Sequence, residues 1–391
     1  MQRSTLFIGG LAAALFAAYL PSSAIAQQPP LKIGLIMTYS GQFADPAAQM
    51  DNAIKLYVKQ HGDSIGGRKL EFIRKDSVGA PDTAKRLAQE LVVRDKVDIL
   101  AGFVLTPEAL GAADVSVEAK KFMVVMNAAT AVVITKSPYM VRTSVSIPQL
   151  EETFGGWAKK SGIQRVYTMV SDYGPGIDAE GAFQRGFKAA GGEIIGSVRF
   201  PVANPDFSPF VQRAKDANPQ AIFAFIPGGT QPPALGKALA ERGIDTSKTK
   251  VLAQGELTDD AALKAMGDSA LGIVTVFQYD RTHDSAANRA FVKAYQSEYG
   301  GRNPDLFSIG GWDGMHLIYE TLKKTKGNSD ADAMVAAAKG MKWESPRGPI
   351  SIDPETRDIV QNVYIRRVEK VGGQLQNVEF DKVENVRYVV K

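Results

Sequence analysis

Cysteine is absent from the chain. That removes disulfides, thiolate metal sites, thiol nucleophiles and lipid attachment through a cysteine in one step. Histidine is scarce: His61, His283 and His316 lie too far apart in sequence for a metal cluster or a histidine-rich active site. G-x-S-x-G, H-E-x-x-H, the phosphate-binding P-loop and the dinucleotide G-x-G-x-x-G do not occur. Neither sign of charge dominates. The 46 basic and 42 acidic residues leave a net charge of +4, spread along the chain, so there is no basic footprint for nucleic acid. After the N-terminus no apolar run is long enough to span a membrane.

What is present is ordinary globular composition, 45% hydrophobic and 23% charged over 391 residues, a length that suggests two domains. The first residues read as an export signal. Arg3 supplies the positive charge, Leu6 to Leu20 the apolar stretch, and Pro21-Ser22-Ser23 a break before the A-x-A site Ala24-Ile25-Ala26. The apolar stretch is about 15 residues, short of the ~20 that a spanning helix needs. Residues 1–26 are therefore expected to be removed, leaving 27–391 in the periplasm, held by its core without disulfides.

From Leu31 the pattern alternates. Leu31–Met37 is an apolar strand. Asp45 is expected to cap a helix with Pro46 at its first position and Met50, Ala53, Ile54, Tyr57 and Val58 on one face. Strands follow at 70–73, 97–100 and 122–126, with helices opened by Pro81 and Pro107. The rhythm restarts after Ser146, with strands at 166–170, 193–200, 221–226 and 250–253. Tyr139–Ser146 between the series is apolar, β-branched and free of glycine, which suits a crossing rather than a loose linker. After Leu271–Phe277 come helices over 286–299, 307–324 and 331–339, then a strand-like end over 348–390. Such alternation predicts an α/β protein: two doubly wound, Rossmann-like lobes with parallel sheets. Three crossings are expected, near Arg142–Ser146, Val276–Gln278 and Arg347–Pro349. They would divide the mature chain into 27–145 plus 277–347 and 146–276 plus 348–391.

Gly155-Gly156, Gly191-Gly192 and Gly228-Gly229 suit turns or helix caps, and Glu151-Glu152 and Asp259-Asp260 suit solvated helix ends. With three dispersed histidines there is little from which to build a nucleophile and base. A bilobed exported α/β protein without catalytic apparatus describes a solute trap. Ligands of open α/β sheets bind outside the carboxyl ends of the strands, and two facing lobes make a cleft that closes.

Over nearly the whole mature chain the sequence resembles the type I periplasmic substrate-binding proteins of ABC transporters, in their leucine/isoleucine/valine-binding branch. The resemblance rests on ordered stretches: 31–45 (LKIGLIMTYSGQFAD), 75–92, 101–110 (AGFVLTPEAL), 126–131 (MNAATA), 139–144, 170–176 (VSDYGPG), 252–256 (LAQGE) and 345–353. It implies that Thr106, before Pro107, holds a ligand carboxylate or serves as a plain N-cap. It implies further that the Ala128 carbonyl meets a ligand ammonium, that Ala129 keeps the approach open, and that the Thr130 hydroxyl and N–H meet the carboxylate. Glu256 matches the acid that pairs with the ammonium, Tyr173 a wall aromatic, and Phe43 a side-chain pocket residue. The family's early disulfide has no counterpart at Ser77–Gly79 and Val104–Leu105.

Glu256 and Thr130 together favour an amino acid with an apolar side chain. Phe43 and the altered pocket edges, among them Phe223–Pro227, leave an aromatic or other organic acid as the alternative. The resemblance implies an inner-membrane permease as partner and a monomer that binds no nucleic acid. No enzyme activity, cofactor or metal is expected. A ligand sensor would share the fold.

Overall fold

The computed structural model describes Met1 and residues 29–390; apart from Met1, the expected signal segment lies outside the described residues. The first lobe begins with β1 (Leu31–Met37), α1 (Ala44–His61), β2 (Ser64–Ile65), β3 (Arg68–Asp76), α2 (Pro81–Val93) and β4 (Ile99–Gly102). It continues with α3 (Thr106–Glu118), β5 (Phe122–Val125) and β6 (Met140–Arg142). The sheet order is β2-β3-β1-β4-β5-β6, parallel except for β2. Its strands are near-continuous apolar runs because helices cover both faces.

The second series is α4 (Ile147–Lys160), β7 (Arg165–Ser171), α5 (Gly174–Ala189), β8 (Glu193–Phe200), α6 (Ser208–Asp216) and β9 (Ala221–Phe225). Then come α7 (Gln231–Glu241), β10 (Lys250–Gln254), α8 (Asp260–Met266) and β11 (Val274–Phe277). The chain returns to the first lobe with α9 (Ala286–Glu298), α10 (Leu306–Lys324), which packs along α1, and α11 (Ala331–Ala338). It ends in β12 (Lys342–Ser345), β13 (Gly348–Ile352), β14 (Ile359–Val371) and β15 (Gln374–Val386). The second sheet runs β12-β13-β14-β11-β10-β9-β7-β8, with β15 also on β14, which is antiparallel to β11. The fold is thus the expected two-lobed α/β architecture.

Local details differ from the sequence reading. Residues 140–142, expected within a crossing, first pair with β5 as an edge strand. The return to the second sheet begins at Lys342, a few residues before the crossing expected near 347. Helix α1 starts at Ala44, so Asp45 lies in its first turn and Phe43 takes the cap position. Glu151 is fully buried on α4 rather than solvated, because the helix is covered by α5 and by the second sheet.

Three buried arginines hold the passages between lobes. Arg347 donates to the carbonyls of Thr143 and Ser144 and, at 2.7 Å, to Gln361 Oε1, and its Nε lies 2.9 Å from Asp313. Arg366 on β14 donates to the Tyr279 carbonyl at 3.1 Å and to Asp280 at 2.8 Å, just past β11. Arg142 pairs with Asp358, in the turn between β13 and β14, through Nε at 2.8 Å and through Nη2. Removing one partner of a buried ion pair leaves an uncompensated charge, at a cost of about 3–5 kcal/mol. Arg347→Ala should therefore lower the unfolding free energy in urea by that order, since Asp313 is fully buried. A loss below 1 kcal/mol would show that Arg347 does not hold the passages.

Candidate functional site

The carboxyl ends of the two sheets face each other across a cavity enclosing about 530 Å³ of space, mouth included. The first lobe contributes Phe43, from the turn after β1, and Thr106, at the first position of α3. Asn127 and Ala129 follow β5. The second lobe contributes Tyr173, which caps α5, and Phe225 and Gln254, at the ends of β9 and β10. Glu256 comes from the single 3₁₀ turn Gly255–Thr258. Phe277 and Phe307 bring the aromatic rings on the wall to five, set among aliphatic residues such as Val104, Leu105, Val145, Ile147 and Leu306. Among the described residues, none of those lining the cavity is Lys or Arg.

Five of the seven residues expected to bind ligand line this space: Phe43, Thr106, Ala129, Tyr173 and Glu256. Ala128 and Thr130 do not. The Ala128 carbonyl, expected to meet an ammonium, already accepts from Arg142 Nη1 at 3.3 Å, and the Thr130 carbonyl accepts from the same nitrogen at 2.9 Å. Thr130 stands behind Thr106, the two hydroxyls sharing a 2.8 Å hydrogen bond. Thr106 is not the N-cap of α3. Leu105 holds that position, and Glu108 closes the turn by accepting from the Leu105 N–H at 2.8 Å. The Thr106 hydroxyl lies instead at the positive end of the helix, where an anion is favoured.

Glu108 also accepts from Thr38 Oγ1 at 2.6 Å and from Ser77 Oγ. One buried carboxylate thus gathers the ends of β1 and β3 with the start of α3. It does so in the region where the resemblance implies a disulfide and this chain has Ser77–Gly79 and Val104–Leu105.

The two lobes meet on both flanks of the cavity. Ala131 N–H donates to Asp178 on α5 at 2.8 Å, and Asn303 Nδ2 donates to Asp260 at 2.6 Å. Gly229, at φ 91°, runs so close to Gln42 that an added Cβ would sit 2.6 Å from its carbonyl oxygen. The cleft is therefore closed in this arrangement.

The electrostatics centre on Glu256. Gly228 N–H donates to its Oε2, but no cation pairs with it among the described residues. Burial raises its carboxyl from 4.5 to about 8, and the charges of Asp259 and Asp305 push the same way. Burial likewise raises Asp305 to about 7. Near neutral pH Glu256 is mostly an uncharged acid, able to donate as well as accept. Tyr173, close enough to feel the Glu256 charge, is raised further by its own burial.

The chain belongs to the type I periplasmic binding proteins: the periplasmic binding protein family model matches residues 30–374. The family consists of solute-binding proteins, and this chain is one of them rather than an enzyme. A Brucella melitensis protein named Leu/Ile/Val-binding protein homolog 6 is 43% identical over 357 residues, covering 90% of this chain and 92% of the relative. A solute binding protein of an ABC transporter from Rhodopseudomonas palustris BisB5, solved with 3,4-dihydroxybenzoic acid, is 53% identical at a TM-score of 0.88, covering 92% of this chain and 98% of that one. Another from R. palustris HaA2, solved with p-hydroxybenzoic acid, is 42% identical at the same TM-score and coverage. No helix of the described residues is long and apolar enough to cross a membrane.

The raised Glu256 and Asp305 carboxyls set a pH dependence. Each binds its proton more tightly folded than unfolded, so folding takes up protons and stability falls as pH rises from about 4 to 8. Glu256→Gln removes one of the two contributions and should flatten that decline, gaining on the order of 4 kcal/mol over wild type at pH 8 and little at pH 4.5. Urea unfolding across this range measures it; parallel curves for the two proteins would refute the buried, uncharged acid.

Proposed function

We propose that this protein is the periplasmic solute-binding component of an ABC importer, that residues 1–26 direct its export, and that it captures a hydroxylated aromatic carboxylate. The observation that carries the ligand class is the five aromatic rings that line the cavity together with Glu256, which takes one N–H from Gly228 and no cation from the protein. A buried acid without a cation partner can exchange a hydrogen bond with a phenol hydroxyl, and the rings offer flat apolar surface to a benzoate. The ligand carboxylate lies against Thr106 at the start of α3, with Thr130 behind it. Its ring stacks among Phe43, Tyr173, Phe225, Phe277 and Phe307, where offset or edge contacts add to simple burial. The two R. palustris proteins, solved with hydroxybenzoates, support this reading.

The amino-acid reading keeps one observation of its own, the presence of an acid at 256, and the name of the Brucella relative agrees with it. The two readings part at Glu256. If the ligand is a hydroxybenzoate, Glu256→Gln keeps a neutral hydrogen-bonding group, and affinity should stay within about 10-fold of wild type. If the ligand is leucine, the same change strands a buried ammonium and costs roughly 30- to 5,000-fold. Calorimetric titration of both proteins with 4-hydroxybenzoate and with leucine is decisive. Tight leucine binding that collapses in the variant, with no heat from 4-hydroxybenzoate, would overturn the aromatic assignment.

A further inference from the structure

A few buried side-chain oxygens find no donor in the protein, among them those of Ser144, Ser146, Glu151, Gln254 and Gln278. Of all such groups among the described residues, Gln254 alone also lines the ligand cavity. It is 3% exposed, and no protein donor reaches its Oε1. Buried polar groups are nearly always satisfied, so one carried by a cavity-lining residue without a protein donor takes its donor from bound ligand or from water.

The position is set by the sheet. Ala253 pairs in register with Ala224, so Gln254 follows beside Phe225 at the carboxyl ends of β10 and β9. Residues in register on parallel strands point the same way, and both reach the cavity. Glu256 lies two residues further on and lines the same space, with Oε2 already taken by Gly228 N–H. One short stretch, 254–256, thus offers two separate hydrogen-bonding side chains to one ligand.

We propose that Gln254 is a specificity-determining residue whose side-chain oxygen accepts a hydrogen bond from a second ring hydroxyl, so that the site prefers a dihydroxylated benzoate to a monohydroxylated one. This rests on the aromatic-acid reading above. A ligand with one hydroxyl satisfies Glu256 and leaves the Gln254 oxygen without its donor. A site built to bond a hydroxyl discriminates against the analogue lacking it because the buried partner is then stranded.

The test is calorimetry with 3,4-dihydroxybenzoate and 4-hydroxybenzoate on the wild-type protein, Gln254→Met and Gln254→Asn. Methionine keeps the unbranched shape and removes the amide; asparagine keeps an amide but withdraws it, which guards against a variant that fails to fold. Wild type should bind the dihydroxy acid on the order of 10-fold more tightly. Both variants should lose most of that preference, the ratio of the two affinities falling towards one. Equal wild-type affinities, or an unchanged ratio in a folded variant, would overturn the assignment of Gln254. Failure of wild type to bind either acid would instead overturn the aromatic reading on which it rests.

Discussion

Three guanidinium groups cut off from water set the terms for the rest of the molecule. Arg142, Arg347 and Arg366 are each at most 2% exposed, and each sits where the chain joins one lobe to the other. A buried charge is tolerated only with a carboxylate and enough acceptors around it. Asp358, Asp313 and Asp280 supply the carboxylates, and backbone carbonyls of the passages supply much of the rest. The passages are therefore fixed in position although each is only a few residues long. Such pairs contribute little net stability over an apolar replacement; what they add is a single permitted arrangement.

That arrangement reaches the ligand. Arg142 spends its third nitrogen on the carbonyls of Ala128 and Thr130, so the loop behind Thr106 is oriented by a turn at 353–358, remote in sequence. Arg366 lies over the Phe277 ring at 4.9 Å, backing an aromatic wall of the cavity with a cation. Positive charge thus stands behind the cavity walls and none stands in them. On the proposed reading, a ligand carboxylate would meet the Thr106 hydroxyl and the start of a helix, which stabilise an anion without stranding a protein cation when the cleft is empty.

Strand and helix positions were legible because a parallel sheet covered on both faces demands apolar strands, and proline-opened helices announce themselves. The two lobes followed from that order, whereas the part of the cavity wall that was named in advance, Phe43, Thr106, Ala129, Tyr173 and Glu256, came from the family resemblance. What could not be read were pairings across long sequence distance. Nothing near Arg142 points to Asp358, and nothing near Ser77 or Thr38 points to Glu108. Thr106 looked like a cap because a hydroxyl before proline usually is one; the turn is closed by Glu108 instead, which frees the Thr106 hydroxyl for Thr130. Glu151 looked solvated because acidic pairs at helix starts usually are, but α4 is covered on that side and leaves it fully buried. Gln254 gave no signal, since a glutamine at a strand end is unremarkable until its neighbours fail to bond it.

Glu256 shows why finding an acid at a ligand position does not define the ligand. A carboxylate attracts an ammonium, but a carboxyl group is a carboxylate only where its surroundings let it ionise. Here the closed lobes remove water, Gly228 supplies a single N–H, and Asp259 and Asp305 bring further negative charge close by. No cation answers it from the protein; Arg366, which bonds the neighbouring Gly255 carbonyl, is committed to Asp280. Burial therefore favours the protonated group in the empty cavity, and the enclosure, as much as the residue type, sets what this position can accept.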